Sequence, residues 1–138
     1  MSDKVPASHR DLLEGPVFVS LATLMPDGQP QVTVVWCDYD GTYVLVNTAR
    51  GRQKEKNMSE RPVATILAVD PDDPYRYLEV RGSVVAITED GALDHINKLA
   101  SIYVDRPSYY GGWAPAERES QEVRVICKIA PTHVRTIG

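Results

Sequence analysis

Nowhere in the 138 residues do eighteen apolar residues run together, so no membrane-spanning helix is expected. The opening residues, MSDKVPASHRDLLEG, contain no apolar segment of the kind a secretory leader requires, which points to the cytoplasm. Cysteine is scarce. Cys37 and Cys127 stand far apart with no CxxC or CxxH spacing beside either, which favours reduced, packed thiols over a disulfide framework or a zinc site, so no metal is expected. GxGxxG and GxxxxGK[ST] are both missing, which removes the Rossmann turn and the Walker loop. Positive charge is in deficit, with 15 Lys and Arg against 19 Asp and Glu. That balance argues against non-specific nucleic-acid binding, which needs a basic face. The carboxylates of DPDDP lack EF-hand spacing and read as a turn. Repeats and low-complexity segments are absent.

What is present is one core and one concentration of charge. An apolar fraction of 43% in 138 residues fits a single domain spanning 1–138. The charge gathers in NTARGRQKEKN, Asn47 to Asn57, where Arg50, Arg52, Lys54 and Lys56 face the single acid Glu55 in a chain of formal charge −4. The stretch follows the apolar run TYVLV and passes a glycine before a short predicted helix, a context in which cations and backbone N–H groups gather around a phosphate. At 100° per residue Arg50, Gln53, Lys54 and Asn57 share one face, with Arg52 and Lys56 opposite. The arrangement reads either as an oxyanion clamp or as a solvated surface helix.

Around this stretch the pattern is one of strands and turns. Ser8 is placed to cap a short helix through Leu12 and Leu13 that Gly15 ends. Residues 17–24 read as a strand, Asp27-Gly28 as a turn, QVTVVWCDYD as the return strand, and Asp40-Gly41 as the turn into TYVLVNT. Arg61-Pro62 ends the helix of the basic stretch, and VATILAV is a fourth strand. The run Tyr75 to Ile87 is long for one strand, and Gly82 near its middle predicts a bulge or bend. Thr88 is placed to cap a helix that lays Leu93, Ile96, Ala100 and Tyr103 on the core. A loop rich in aromatics, with Tyr109, Tyr110 and Trp113, leads to QEVRVICKIA, the sixth strand, and a short tail, HVRTIG. Six strands joined mostly by turns predict a mainly β fold, a small antiparallel barrel with flanking helices. A barrel of that size has little interior room, so a large ligand is expected outside it, where two chains meet.

Several side chains carry two readings. Trp36 is either half-buried in the sheet or a wall against a cofactor. The cysteines read as core residues, and His9, His95 and His133 as surface or satisfied groups. Tyr109, Tyr110 and Trp113 form either a lid or a dimer-packing segment.

From LLEGPVFVSLATLMPDGQPQVTVVW through VNTARGRQKEKNMSERPVATIL to YLEVRGSVVAIT and the closing THV, the chain resembles the split β-barrel flavin and deazaflavin proteins related to pyridoxamine 5′-phosphate oxidase. The likeness is strongest to the small branch that uses coenzyme F420. The most specific piece is R-x-K-x-[KR]-N followed by a proline and a strand, here Arg52, Lys54, Lys56, Asn57 and Pro62. The resemblance implies a six-stranded split barrel, a homodimer, and a cofactor in the groove between the chains. It implies Lys54 as the phosphate lysine, with Arg52, Lys56 and Asn57 beside it and Arg50 reaching the phosphate or an acidic tail. It also implies Gln31, Thr33 and Trp36 beneath the ring, Asn47 and Thr48 near the ring and ribityl chain, and Tyr109, Tyr110 and Trp113 on the substrate side. No catalytic side chain is implied, because the cofactor carries the chemistry.

Two departures narrow the reading. The ending HVRTIG lacks the Arg-x-Pro segment of pyridoxamine phosphate oxidases, which speaks against vitamin B6 oxidation. Gln53 stands where FMN-binding oxidases carry an arginine. The expectation is therefore an F420-dependent oxidoreductase delivering a hydride to a small unsaturated or aromatic acceptor. FMN is the alternative cofactor, and a non-catalytic flavin or tetrapyrrole binder the alternative role.

Overall fold

The computed structural model describes residues 4–138. Seven antiparallel strands form one sheet: β1 (Val19–Leu24), β2 (Pro30–Val35), β3 (Cys37–Tyr39), β4 (Val44–Ala49), β5 (Val63–Asp70), β6 (Asp73–Thr88) and β7 (Arg124–Ile137). Their order is β2-β1-β5-β6-β7-β4-β3. The two edge strands, β2 and β3, are separated in sequence by Trp36 alone, so the sheet must curl until its first and last strands meet. The result is the expected split barrel with flanking helices. It has seven strands rather than six because the return strand breaks at Trp36. The break has a specific cause: the Tyr103 hydroxyl accepts the Cys37 N–H at 3.1 Å and lies 2.8 Å from the Val17 carbonyl, its acceptor.

The turns follow local chemistry. Gly28 and Gly41 both hold positive φ, and Asp40 accepts the N–H groups of Thr42 and Tyr43. The Gly82 bend is present as a register shift between Arg81 and Gly82, letting β6 pair with β5 and β7 along its length. A Cβ at Gly82 would stand 2.6 Å from the Ala130 carbonyl oxygen and 2.6 Å from Ile129 Cγ2, so only glycine fits.

Four expectations shift. The segment HVRTIG is not a tail: His133 to Ile137 pair with Arg81 to Tyr77 as the second half of β7. Ser8 does not cap: its hydroxyl bonds His9 Nδ1, and α1 (Asp11–Glu14) begins without a side-chain cap. Thr88 accepts the Asp90 N–H in a turn, and α3 (Ala92–Val104) starts four residues later. The stripe of α3 is Ala92, His95, Ile96, Leu99 and Ala100, while Leu93 is 42% exposed. His95 turns the helix, because its ring finds polar partners inside.

The core fills the curl. Leu12 and Leu13 of α1 enter one end and meet Val19, Leu21, Val44, Ile66, Leu78 and Ile129 from five strands. Cys37 and Cys127 are buried free thiols, and burial pushes both up to about 12, which removes them as nucleophiles. Among the described residues no helix is long and apolar enough to cross a membrane, and no three His, Cys, Asp or Glu side chains gather as a metal would need.

A candidate anion and cofactor site

The basic stretch leaves β4 at Ala49 and turns through Gly51, whose φ is +89°, into α2 (Gln53–Glu60). Glu55 fastens this turn: its carboxylate accepts the Gly51 N–H at 2.8 Å and the Ser59 hydroxyl at 2.6 Å. The one acid of the stretch is thus spent on its own backbone and side-chain neighbours. Because Arg52 is extended at the helix N-cap, the helical wheel does not reach back to it. Arg52 and Lys54 face the same cavity, although 100° spacing predicts opposite faces.

That cavity, about 280 Å³, opens where β2 ends and β7 begins. Phe18, Val34, Trp36, Ile96, Tyr109 and Trp113 supply its apolar wall, and Asn47, Arg52, Lys54 and Arg124 its polar floor. Trp36 lies flat on Tyr103, centroids 5.3 Å apart and planes 14° apart. It meets Tyr109 edge-on at 6.0 Å and Trp113 at 6.2 Å. The aromatic loop is fixed rather than free: Asn97 accepts the Tyr109 N–H at 2.8 Å, and the Tyr110 hydroxyl donates to Glu122 at 2.6 Å.

The electrostatics are one-sided. Glu122 takes Arg52 at 2.9 Å and Arg124 at 3.4 Å, and these donors with Tyr110 outweigh burial and hold its carboxyl below the usual range. Among the described residues no carboxylate lies within ion-pair distance of Lys54. Burial, then the charges of Arg52 and Arg124, lower its pKa from the ordinary lysine value. A half-buried ammonium between two guanidiniums, with no acid of its own, is a site prepared for an anion.

Of the residues singled out in the sequence, Trp36, Asn47, Arg52, Lys54, Tyr109 and Trp113 line this cavity. The others stand elsewhere. Asn57 has no exposed surface and is enclosed by Thr23, Gln31, Gln53 and Arg61, so its amide ties α2 to the sheet. Gln31 belongs to that knot, and Thr33, paired with Leu21, lies further along β2. Thr48 is buried with its hydroxyl unpartnered. Arg50 pairs with Glu89 and Glu55, Lys56 points to solvent, and Tyr110 stands behind Tyr109.

Arg124 was not singled out by the sequence pattern, which makes it one of the positions alternating with Val123, Val125 and Cys127 in the closing strand. It is only 7% exposed, with Nε donating to Asn47 at 2.9 Å and its guanidinium 5.0 Å from the Tyr109 centroid. Asn47 in turn donates to the Ala92 carbonyl and to His95 Nδ1. Behind them Asp38 accepts Lys98 at 2.7 Å.

The sequence model of the family described as pyridoxamine 5′-phosphate oxidase matches residues 5–138. The chain belongs to this family. Among solved structures, an F420 reductase is 37% identical to this pyridoxamine 5′-phosphate oxidase family member, over 95% of this chain and 98% of that one, with a TM-score of 0.80. A conserved hypothetical protein from Mycobacterium tuberculosis (23% identity, 99% and 86% covered, TM-score 0.72) shares the fold. So does a heme binding protein from Mycobacterium smegmatis (17%, 97% and 55%, TM-score 0.61). The family includes oxidoreductases, and its fold alone is common to members with different ligands.

Proposed function

We propose that this chain is an F420-dependent oxidoreductase: a single cytoplasmic domain, residues 1–138, that works as a homodimer with the cofactor between its subunits. The observation that carries the reading is Lys54, a half-buried cation with no acid partner, standing with Arg52 and Arg124 on the floor of an aromatic-walled cavity. A phosphate diester suits such a floor, since charge-assisted hydrogen bonds are about twice as strong as neutral ones. The likeness to an F420 reductase at 37% identity supports the deazaflavin over FMN.

A reduced deazaflavin supplies a hydride when bound. The side chains then have three tasks. Lys54 and Arg52 hold the phosphate, Trp36 presents a flat face held by Tyr103, and the fixed Tyr109–Trp113 segment keeps water from one side of the ring. No protein nucleophile takes part, and a proton for the product comes from Tyr109 or from solvent.

The homodimer accounts for an otherwise exposed apolar face. Val32 and Val34 of β2 are 61% and 68% exposed, and Phe18, Val63 and Leu67 extend the patch. Phe18 and Val34 also line the cavity, so a second chain on this face completes its wall.

Paired titrations with F420 and FMN test the cofactor. Trp36 and Trp113 are the chain's two tryptophans and both line the cavity, so intrinsic fluorescence reads the site directly. F420 is expected to bind at least about tenfold tighter than FMN, one charge-assisted contact's worth. The reverse order makes this a flavin protein, and binding of neither removes the cofactor reading.

A further inference from the structure

We infer that the aromatic side of the cavity takes a planar aromatic anion, a conjugated acceptor bearing a carboxylate or sulfonate, with Arg124 meeting the charge and Tyr109 and Trp113 bordering the ring. This names a substrate class for the proposed oxidoreductase and rests on that reading only in calling the ligand an acceptor.

The first support is sign. No carboxylate lines the cavity, and the one acid that touches its cations, Glu122, already accepts from Arg52, Arg124 and Tyr110. A cationic ligand meets no counter-charge among the described residues that line this cavity. Three cations against Glu122 leave two positive charges, enough for an anion at Lys54 and a second one beside it.

The second support is the way Arg124 is held. Nε is committed to Asn47 and Nη1 to Glu122. Asn47 is itself fixed by the Ala92 carbonyl and His95, so the guanidinium is oriented before any ligand arrives. Its plane lies over Tyr109, on the aromatic side of the cavity, whereas Lys54 enters from α2. Trp36 is stacked on Tyr103, and the Tyr109 backbone is held by Asn97. A rigid ring surface bordered by one preoriented cation selects for flatness and for negative charge together.

The test uses the full chain and a matched series, 4-nitrobenzoate, 4-nitrobenzamide and (4-nitrobenzyl)trimethylammonium, whose rings quench tryptophan. The carboxylate is expected to bind about tenfold tighter than the amide, the scale of one charged hydrogen bond, with the cation weakest. In Arg124→Gln that preference falls to about twofold or less, and Arg124→Lys restores part of it. Lys54→Ala keeps the ratio of carboxylate to amide while binding F420 more weakly. Calorimetry on the F420-loaded chain shows the same preference. An unchanged ratio in Arg124→Gln, equal binding of the cation, or displacement of F420 by the carboxylate overturns the assignment. Should Arg124→Gln lose its circular dichroism, Arg124→Met decides, since it fills the same space without the charge and an unaltered ratio there also overturns it. Failure of F420 to bind sinks the cofactor reading and leaves the charge preference to be judged on its own arms.

Discussion

Arg124 Nε donates to Asn47 Oδ1 at 2.9 Å, joining the start of β7 to β4 beneath the cavity. Both groups are largely removed from water, so each depends on the other for the hydrogen bonds it gave up on folding. Asn47 also serves the Ala92 carbonyl and His95, which makes it the hub of three elements.

Asn47→Ala is therefore expected to lower stability by about 1–3 kcal/mol, the cost of leaving buried polar groups unpartnered. Urea unfolding measures this. Because Arg124 loses its anchor in the same step, the nitrobenzoate preference falls as well. A variant with wild-type stability would show that Arg124 finds another acceptor.

Lys54→Ala removes a cation that no acid among the described residues pairs with. The fold is expected to keep its urea midpoint or gain slightly, because a half-buried unpaired charge costs stability. F420 affinity falls by about 1–3 kcal/mol, the value of a charge-assisted hydrogen bond. Unchanged affinity for both F420 and FMN would take Lys54 out of the site.

Much of this arrangement is legible in the sequence because it is local. The Asp27-Gly28 and Asp40-Gly41 turns, the helix stop at Arg61-Pro62 and the bend at Gly82 each follow from what neighbouring residues permit. The concentration of basic residues from Arg50 to Lys56 is equally local, although helical spacing sets Arg52 opposite Lys54 and only the extended N-cap brings both to one cavity. What could not be read depends on distant partners. The strand breaks at Trp36 because Tyr103, 66 residues away, takes the Cys37 N–H. Arg124 and His95 look like surface residues until Asn47, Glu122 and Asp38 are brought beside them. Asn57 sits in a cofactor-like motif, yet Thr23 and Gln31 from another part of the sheet enclose it.

Asp38 gives the stability a defined acid limb. Burial alone would raise its pKa, but the His95 ring nitrogen 3.8 Å away and the Lys98 ammonium at 2.7 Å outweigh it and hold the carboxyl at about 2, below the ordinary 3.8. A depressed folded-state value means the contribution is complete above 3.8 and is lost as pH falls toward 2. The loss is on the order of 2 kcal/mol. Asp38→Asn should be less stable than wild type at about pH 6 and should lose less on acidification to about pH 3. Parallel acid limbs in the two proteins would mean that other carboxylates set the decline.

Val34→Glu tests the outer face of the sheet. Val34 pairs across β1 with Ser20, which pairs with Leu67 of β5, while Val32 pairs through Ala22 with Thr65, so the apolar surface runs over three strands. In an isologous dimer each substitution appears twice about the two-fold axis, and two carboxylates in an apolar seam repel and lose hydration together. Val34 is 68% exposed, so a single chain tolerates the change with little loss of stability. Sedimentation is expected to shift from dimer to monomer while circular dichroism is preserved. F420 affinity should fall with it, because Val34 and Phe18 border the cavity and, in the proposed dimer, the second chain would complete its wall. A variant that still sediments as wild type, or a wild type that is already monomeric, would free this face from any role in self-association and require the cofactor to bind on one chain alone.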